Sequence, residues 1–236
     1  MKTELTLATA LACLFTAGSA NALIIDDFSI SQPDIYVNGP APASSLGNIQ
    51  TGPNANIIGG VRQTDVYLNA DGSSSNVNAR VVGGVLDINN SVSADSTITL
   101  IWDGNGSVLG LGNVNMYADG ATGIHLAFPT AMDHALSLIF NITDYQTGTI
   151  ASSSILFPAG AQGDDFFFAF SDFSNMAALL SADSISMSLH STTPGLDASL
   201  DLIETRNGVP EPMSLSLLGL GLVGMTALRR KAKSPV

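Results

Sequence analysis

The chain has 236 residues, of which 45% are hydrophobic and 12% charged, and its formal net charge is −12. The 20 aspartates and glutamates outnumber the 8 lysines and arginines. Because nucleic-acid binding needs clustered lysine and arginine to neutralise phosphates, this composition excludes nucleic acid as a partner.

The first 22 residues have the features of a secretory signal peptide. Lys2 precedes an apolar run over residues 5–17, and Ala20-Asn21-Ala22 is a small-residue cleavage site. Cys13, the single cysteine, lies inside this segment. We therefore expect residues 1–22 to be removed on export, which leaves a domain at 23–208 that must be stable without disulfide bonds.

The charge of residues 23–208 is more one-sided than that of the whole chain. This range holds three arginines and no lysine against 17 aspartates and Glu204, a net charge of −15. Such acidity keeps an exported domain dispersed. Alternatively, aspartate-rich loops supply the oxygen ligands that calcium prefers, so a calcium site is a second interpretation.

Residues 103–107 begin like a calcium-binding loop, with oxygen-bearing side chains at the first, third and fifth positions. Val108 stands where that loop needs glycine, and Val114 stands where it needs glutamate. The segment is therefore better interpreted as a tight hairpin turn, and no metal ligand is assigned.

The first half of the domain alternates short apolar runs with turn residues, which is typical of β-strands. Residues 23–30 predict the first strand. The stretch 31–56 is rich in proline, glycine, asparagine and serine and predicts a long loop. Strands follow at 65–69 and 77–88, and Gly83-Gly84 predicts a bulge or a sharp bend within the second of these.

The second half continues the pattern. Further strands are predicted at 96–102, 108–116, 124–128, 135–143, 149–157, 166–170, 185–189 and 200–203. Only residues 172–181 have apolar side chains at helical spacing, at Met176, Leu179 and Leu180.

About ten short strands at regular spacing favour an all-β fold, an antiparallel two-sheet β-sandwich, over a parallel sheet. The terminal segments 24–28 and 200–204 resemble the paired edge strands of jelly-roll carbohydrate-binding modules. This resemblance implies a jelly-roll-like domain whose two ends lie together, beside the C-terminal tail.

Few side chains have the spacing of a catalytic or cofactor site. His125, His134 and His190 lack cysteine partners and the HExxH pattern, so zinc is not predicted and each histidine is interpreted as structural. A serine nucleophile elbow and a glycine-rich phosphate loop are also missing from the sequence. We therefore assign no catalytic residue and no cofactor.

Trp102 is the one aromatic residue that we consider for ligand binding. It is the only tryptophan and ends a strand just before a turn, where its ring can serve as a platform for stacking a sugar. A single tryptophan in a sandwich is more often packed in the core. Both interpretations remain open, and the four tyrosines are scattered along the chain.

The last 28 residues have a different organisation. Pro210-Glu211-Pro212 is followed by an uncharged apolar segment at 213–228 and a basic end at 229–233. The prolines keep the motif extended, and the apolar segment approaches the roughly 20 residues that span a bilayer. The arginines and lysines favour a cytoplasmic C-terminus.

The order of these parts in residues 209–236 resembles the PEP-CTERM sorting signal of Gram-negative bacteria. The resemblance implies that Pro210, Glu211 and Pro212 are the sorting motif and that the membrane protease exosortase is a partner. It also implies transient anchoring in the inner membrane through residues 213–228. Release would then take the protein to the cell surface or the extracellular matrix.

These features predict an exported, non-enzymatic structural or adhesive protein of the exopolysaccharide matrix or biofilm, with carbohydrate affinity as a further expectation. Two alternatives come from other functional classes. One is a secreted hydrolase acting on polysaccharide, because 17 aspartates make carboxylate pairs readily available. The other is a protein of calcium-dependent matrix assembly.

Overall fold

The computed structural model describes residues 22–51, 54–70, 75–104, 110–191 and 193–208, with the backbone alone at 47–51 and 164–165. All structural statements below concern these residues. No helix within them is long and apolar enough to cross a membrane. Residues 1–21, which are predicted to be the greater part of the signal peptide, and the predicted sorting tail from Val209 onward lie outside the described ranges.

Short β-strands make up most of the described chain. They are β1 Ile24–Asp26, β2 Gln32–Asn38, β3 Ala43–Thr51, β4 Val61–Ala70, β5 Asn76–Val82, β6 Val85–Asn90, β7 Asp95–Trp102, β8 Gly123–Phe128, β9 Leu136–Asp144, β10 Thr149–Phe157, β11 Gly163–Ala169, β12 Ser184–Ser191, β13 Asp197–Leu200 and β14 Leu202–Arg206. Short 3-10 helices occur at Ile58–Gly60, Ala118–Gly120, Phe170–Asp172 and Ala178–Leu180.

The strands form two layers. One layer is a six-stranded sheet with the order β10-β9-β12-β7-β4-β3, and the other consists of two four-stranded sheets, β1-β14-β8-β11 and β13-β6-β5-β2. Every strand pair is antiparallel. Asp201 separates β13 from β14, so the chain passes directly between the two smaller sheets. The fold is an all-β antiparallel sandwich of jelly-roll type, which confirms the predicted fold class.

Side chains of the six-stranded sheet alternate between the core and the solvent. In β7, Leu100 and Trp102 are fully buried, whereas Thr97 and Thr99 point to the outer face. This period of two is the geometry of a pleated strand with one buried side. The inner faces of both layers therefore share a single apolar core.

Phenylalanine rings fill the space between the layers near one edge of the sandwich. Phe140 of β9 meets Phe168 of β11 with ring centroids 5.0 Å apart, and Phe157 of β10 meets Phe166 of β11 at 4.9 Å. Both contacts are edge-on, the arrangement that aromatic quadrupoles favour. The phenylalanine-rich segment predicted at 166–170 thus packs into the core.

A buried ion pair lies between the layers. Arg62 of β4 and Asp26 of β1 are both fully buried, and the Nη1 of Arg62 lies 2.8 Å from Oδ2 of Asp26. The Nη2 of Arg62 donates to the carbonyl oxygen of Ile30 at 3.0 Å, and its Nε donates to Oε1 of Gln32 at 3.3 Å. The guanidinium also lies 5.3 Å from the ring centroid of Phe28. One arginine therefore connects the six-stranded sheet to both smaller sheets.

The two ends of the domain are paired. In the antiparallel ladder between β1 and β14, Ile24 lies opposite Glu204, and the N–H of Thr205 donates to the carbonyl oxygen of Leu23 at 2.8 Å. The predicted pairing of the terminal segments is therefore correct. However, only β1 is an edge strand, because β14 lies between β1 and β8.

The predicted loop at 31–56 is wrong, because β2 and β3 occupy most of it. Both are edge strands of their sheets. An edge position tolerates Pro33 and the many polar side chains, since one side of the strand needs no partner. Ile35 and Val37 alternate with exposed residues and supply the buried side of β2.

The predicted strand at 108–116 is not observed in its described part. Val114 forms a single bridge with Ala182, and the residues before it make turns. Gly110 has a φ of 55°, which a strand does not accommodate. The carbonyl oxygen of Asp183 accepts from the N–H of Leu111 at 2.7 Å and holds this loop against the sheet.

The remaining differences are local. Residues 172–181 form parts of two 3-10 helices instead of one longer helix. Leu179 is buried, but Met176 and Leu180 are 58% and 56% exposed, so the helical spacing does not produce a common buried side. Gly83-Gly84 forms the sharp bend that their pairing predicts, as the turn of the hairpin β5–β6.

Candidate functional site

The outer face of the six-stranded sheet carries an array of polar side chains, most of them uncharged. We call this surface the polar face. It comprises outward polar side chains of the four central strands, namely Gln63, Asp65, Tyr67, Asn69, Asp95, Thr97, Thr99, Ser137, Asn141, Thr143, Ser186, Ser188 and His190, with the apolar Val61 at the start of β4 on the same side. Ile101 and Ile139 are the apolar side chains among them.

The strand register arranges these side chains in rows across the sheet. In one row Tyr67, Thr97, His190 and Ser137 lie side by side on successive strands. Neighbouring strands are about 4.8 Å apart, so four strands present a polar row roughly 14 Å long. A row of this length matches several units of an extended ligand better than it matches a small molecule.

Hydrogen bonds fix many of the side chains before any ligand binds. The Nδ2 of Asn69 donates to Oδ1 of Asp95 at 3.1 Å and to Oγ1 of Thr97 at 2.9 Å. The hydroxyls of Thr99 and Ser188 share a hydrogen bond of 3.0 Å across β7 and β12. Groups that are already positioned lose less conformational entropy on binding.

His190 and Asp95 belong to the same network. The Nδ1 of His190 lies 3.5 Å from Oδ1 of Asp95 and 3.1 Å from the carbonyl oxygen of Ser96. The side chains of His190 and Asp95 are 40% and 32% exposed, so both can contact a ligand while they keep their mutual contact. His190, interpreted from the sequence as a structural histidine, is thus part of the polar face.

Tyr67 is the aromatic residue of the polar face. Its side chain is 37% exposed and lies between Ser44 of β3 and Thr97 of β7. Tyrosine combines an apolar ring with a polar hydroxyl, which suits a ligand that has both C–H and O–H groups.

A shallow open depression continues the polar face toward the edge strand β10. Its volume is about 480 Å³, and it is lined by Ile139, Ser152, Ser153, Ser154, Ile155 and Asp172. The hydroxyl of Ser152 donates to Oδ1 of Asn141 at 2.7 Å, so the hydrogen-bonded array extends onto this strand. The polar face and the depression form one continuous surface.

A second hollow of about 310 Å³ lies where the termini meet, lined by Ala22, Asp119, Ala121, Glu204, Thr205, Arg206 and Asn207. Beside it the Nδ1 of His125 lies 3.5 Å from Oε1 of Glu204, and both side chains are largely buried. Thr205 and Arg206 belong to the strand that leads into the C-terminal tail. This hollow therefore lies beside the point where the tail leaves the domain.

Trp102 does not lie on the polar face. It is fully buried, and its indole Nε1 donates to Oδ2 of Asp26 at 2.9 Å. A ring with no exposed surface offers no platform on which a sugar could stack. The alternative interpretation, a packed core tryptophan, fits its position.

Metal-binding residues do not cluster in the described part of the chain, where no group of three or more histidine, cysteine, aspartate or glutamate side chains could hold an ion. Within the 103–107 segment, only Asp103 and Gly104 lie inside the described ranges.

In the opposite layer, Oδ1 of Asp133 accepts from the N–H of Asp197 at 2.7 Å. Burial raises the pKa of Asp197, and the nearby carboxylates of Asp133 and Asp87 raise it further.

The polar face was not identified from the sequence, although its signal was present. Alternate residues of the strands predicted at 96–102 and 185–189 are threonine or serine at Thr97, Thr99, Ser186 and Ser188. The sequence does not show that these two strands pair with each other. They lie some 90 residues apart and become neighbours only in the folded sheet.

The PEP-CTERM protein-sorting motif matches residues 208–231. The resemblance of the tail to this sorting signal is thus confirmed. The signal marks an exported protein that is held transiently in the membrane and then processed by exosortase. The motif residues Pro210, Glu211 and Pro212 lie outside the described structure. No curated protein matches the chain.

Solved structures with a similar fold include a family 11 carbohydrate-binding module of a cellulosomal cellulase of Clostridium thermocellum. It is 11% identical, with a TM-score of 0.42 over 81% of this chain and 97% of the module. The family 11 module from Clostridium thermocellum in complex with a β-1,3-1,4-mixed-linked tetrasaccharide is 12% identical, with a TM-score of 0.40 over 80% of this chain and 98% of that one. An agarase is 14% identical, with a TM-score of 0.42 over 79% of this chain and 24% of the enzyme. Similarity at this level carries no argument about ligand or activity.

Proposed function

We propose that this protein is a non-enzymatic component of the cell surface or the extracellular matrix that binds exopolysaccharide through its polar face. The observation that carries the proposal is the hydrogen-bonded array of hydroxyl, amide and carboxylate groups around Tyr67. Polysaccharides present rows of hydroxyls that both donate and accept hydrogen bonds, and serine, threonine and asparagine side chains do the same.

The geometry of the polar face supports an extended ligand. The surface is open and runs across four strands and onto β10, without the enclosed pocket that typically buries a small molecule. The sorting signal supports the location, because a protein released from the membrane outside the cell meets polysaccharide there.

The proposal is tested by measuring the binding of the protein, purified as the cell secretes it, to the exopolysaccharide of the producing bacterium. We expect Tyr67→Ala to weaken binding about tenfold or more, as loss of a central aromatic contact commonly does. Tyr36→Ala is the matched control, because Tyr36 is 51% exposed on β2 in the opposite layer. It should bind like the wild type.

Two results would contradict the proposal. Equal binding by wild type and Tyr67→Ala would show that the polar face is not the binding surface. Release of reducing sugar during the assay would indicate that the protein is a hydrolase and not a non-enzymatic binding protein. Repeating the measurement with calcium and with a chelator separates calcium-dependent assembly from direct recognition of the polysaccharide.

A further inference from the structure

The three arginines of residues 23–208 are all engaged in ion pairs away from the polar face. Arg62 is fully buried against Asp26. Arg80 of β5 lies in the opposite layer, with Nη2 2.8 Å from Oδ2 of Asp87. Arg206 of β14 also lies in that layer, with Nε 3.5 Å from Oε1 of Glu204. Since this range contains no lysine, the polar face has no arginine or lysine at all.

The charges on the polar face itself are negative. Asp95 is partly exposed on it, whereas Asp65 is largely buried against Gln63. His190, which lies against Asp95, is the single basic side chain of the polar face. Around it, a domain of net charge −15 produces a negative potential that extends over about 8–10 Å at physiological ionic strength. This potential would repel a ligand with closely spaced carboxylates or sulfates, and the polar face has no guanidinium or ammonium group to neutralise the charge of such a ligand.

Uncharged sugars do not meet this obstacle. Their hydroxyls can donate to the partly exposed carboxylate of Asp95 and accept from the hydroxyls of Thr97 and Thr99. A hydrogen bond to a carboxylate is stronger than one between neutral groups. Asp95 thus favours a ligand that brings donors. An amine-bearing sugar brings such donors together with a positive charge.

Building on the function proposed above, we propose that the ligand of the polar face is a polysaccharide without acidic groups, made of neutral or amine-bearing sugars. Acidic matrix polysaccharides rich in uronic acid or sulfate are excluded from the face by the carboxylate of Asp95, by the negative charge of the domain and by the lack of an available arginine or lysine.

The test separates the exopolysaccharide of the producing bacterium by anion exchange into a retained, acidic fraction and an unretained fraction. The secreted protein should bind the unretained fraction at least about tenfold more tightly, which corresponds to about 1.4 kcal/mol. Equal or tighter binding of the acidic fraction would overturn this inference and leave the proposed function intact. Binding of neither fraction would overturn the proposed function itself.

Charge-introducing variants give a second, independent readout. Thr99→Lys places an ammonium group in the middle of the polar face, and we expect it to gain binding to the acidic fraction. Asn89→Lys adds the same charge at an exposed position of β6 in the opposite layer and should gain nothing. Equal gains by both variants would show that net charge governs the selection, which would refute the role of the polar face.

Discussion

The indole N–H of Trp102 donates to Oδ2 of Asp26 across the interior of the sandwich, at 2.9 Å. Both Asp26 oxygens also accept from Nη1 of Arg62, at 2.9 and 2.8 Å, and Oδ1 accepts from the N–H of Phe28. The single tryptophan and a buried arginine of the six-stranded sheet thus converge on one carboxylate of the opposite layer. Since all three are buried, loss of the Asp26 carboxylate would leave the indole N–H of Trp102 without its acceptor and Arg62 without its counter-charge.

The first prediction compares two arginines in ion pairs of equal length. Arg62→Met should lower the free energy of unfolding by about 3–5 kcal/mol, because it leaves the carboxylate of Asp26 buried without its counter-charge. Arg80→Met should lower it by less than about 1 kcal/mol, because the 2.8 Å pair with Asp87 is exposed to solvent. Urea denaturation followed by circular dichroism gives both values. Similar losses in the two variants would contradict a structural role for the buried pair.

The second prediction concerns the loop that Asp183 holds. A Cβ at Gly110 would clash with the carbonyl oxygen of Asp183, whereas a Cβ at Gly112 would meet nothing within 4 Å. Both glycines have positive φ, so alanine is strained at either position. We expect Gly110→Ala to lower the melting temperature clearly more than Gly112→Ala does. The reverse order would show that backbone strain, and not contact with Asp183, limits this loop.

The third prediction concerns pH. Burial and the neighbouring carboxylates raise the pKa of Asp197, so the folded state holds this proton more tightly than the unfolded state does. The resulting stability is fully present below the ordinary aspartate pKa and is lost as the pH rises through the raised pKa of the folded state. Asp197→Asn should therefore be more stable than the wild type at pH 7, with the difference disappearing in acid.

Asp34→Asn is the control for this pH prediction, because Asp34 is an exposed aspartate of β2 and its removal changes the net charge equally. Thermal melts of the three proteins between pH 3 and pH 7 provide the measurement, a range chosen to cover the ordinary aspartate pKa of about 3.9. If Asp34→Asn gains as much stability as Asp197→Asn, the effect comes from net charge and not from the surroundings of Asp197.

The fourth prediction concerns the tail. Processing by exosortase should remove residues 213–236, so mass spectrometry of the protein outside the cell should find no peptide from this segment. Glu211→Ala keeps the apolar segment and changes only the sorting motif, and we expect it to leave the intact tail in the membrane fraction. An intact tail on the wild-type surface protein would instead indicate permanent anchoring.

The fold was predictable where a strand has its own alternation of apolar and polar residues. The strand predicted at 149–157 agrees with β10, and the pairing of the two terminal segments was also anticipated. Edge strands such as β2 and β3 were missed, because a strand with one free side can hold proline and polar residues. Local composition then resembles that of a loop.

The candidate site was less predictable, because it depends on contacts between distant segments. The hydrogen bond between Thr99 and Ser188 joins residues 89 positions apart, and nothing in either strand specifies the other. Arg62 shows the same difficulty in the core. An arginine is normally exposed. Arg62 can be buried because its guanidinium donates to Asp26, Gln32 and Ile30, which come close to it only in the folded protein.

The pairing of β1 with β14 also determines when the protein can finish folding. In the described chain the first strand, β1, has no strand partner except the last one, β14. Only residues 207–209 separate the end of β14 from the first proline of the sorting motif. The ladder that holds β1 in its sheet can therefore form only after nearly the whole domain has been synthesised. A chain that ended before β14 would lack the strand that joins β1 to β8 in the smaller sheet.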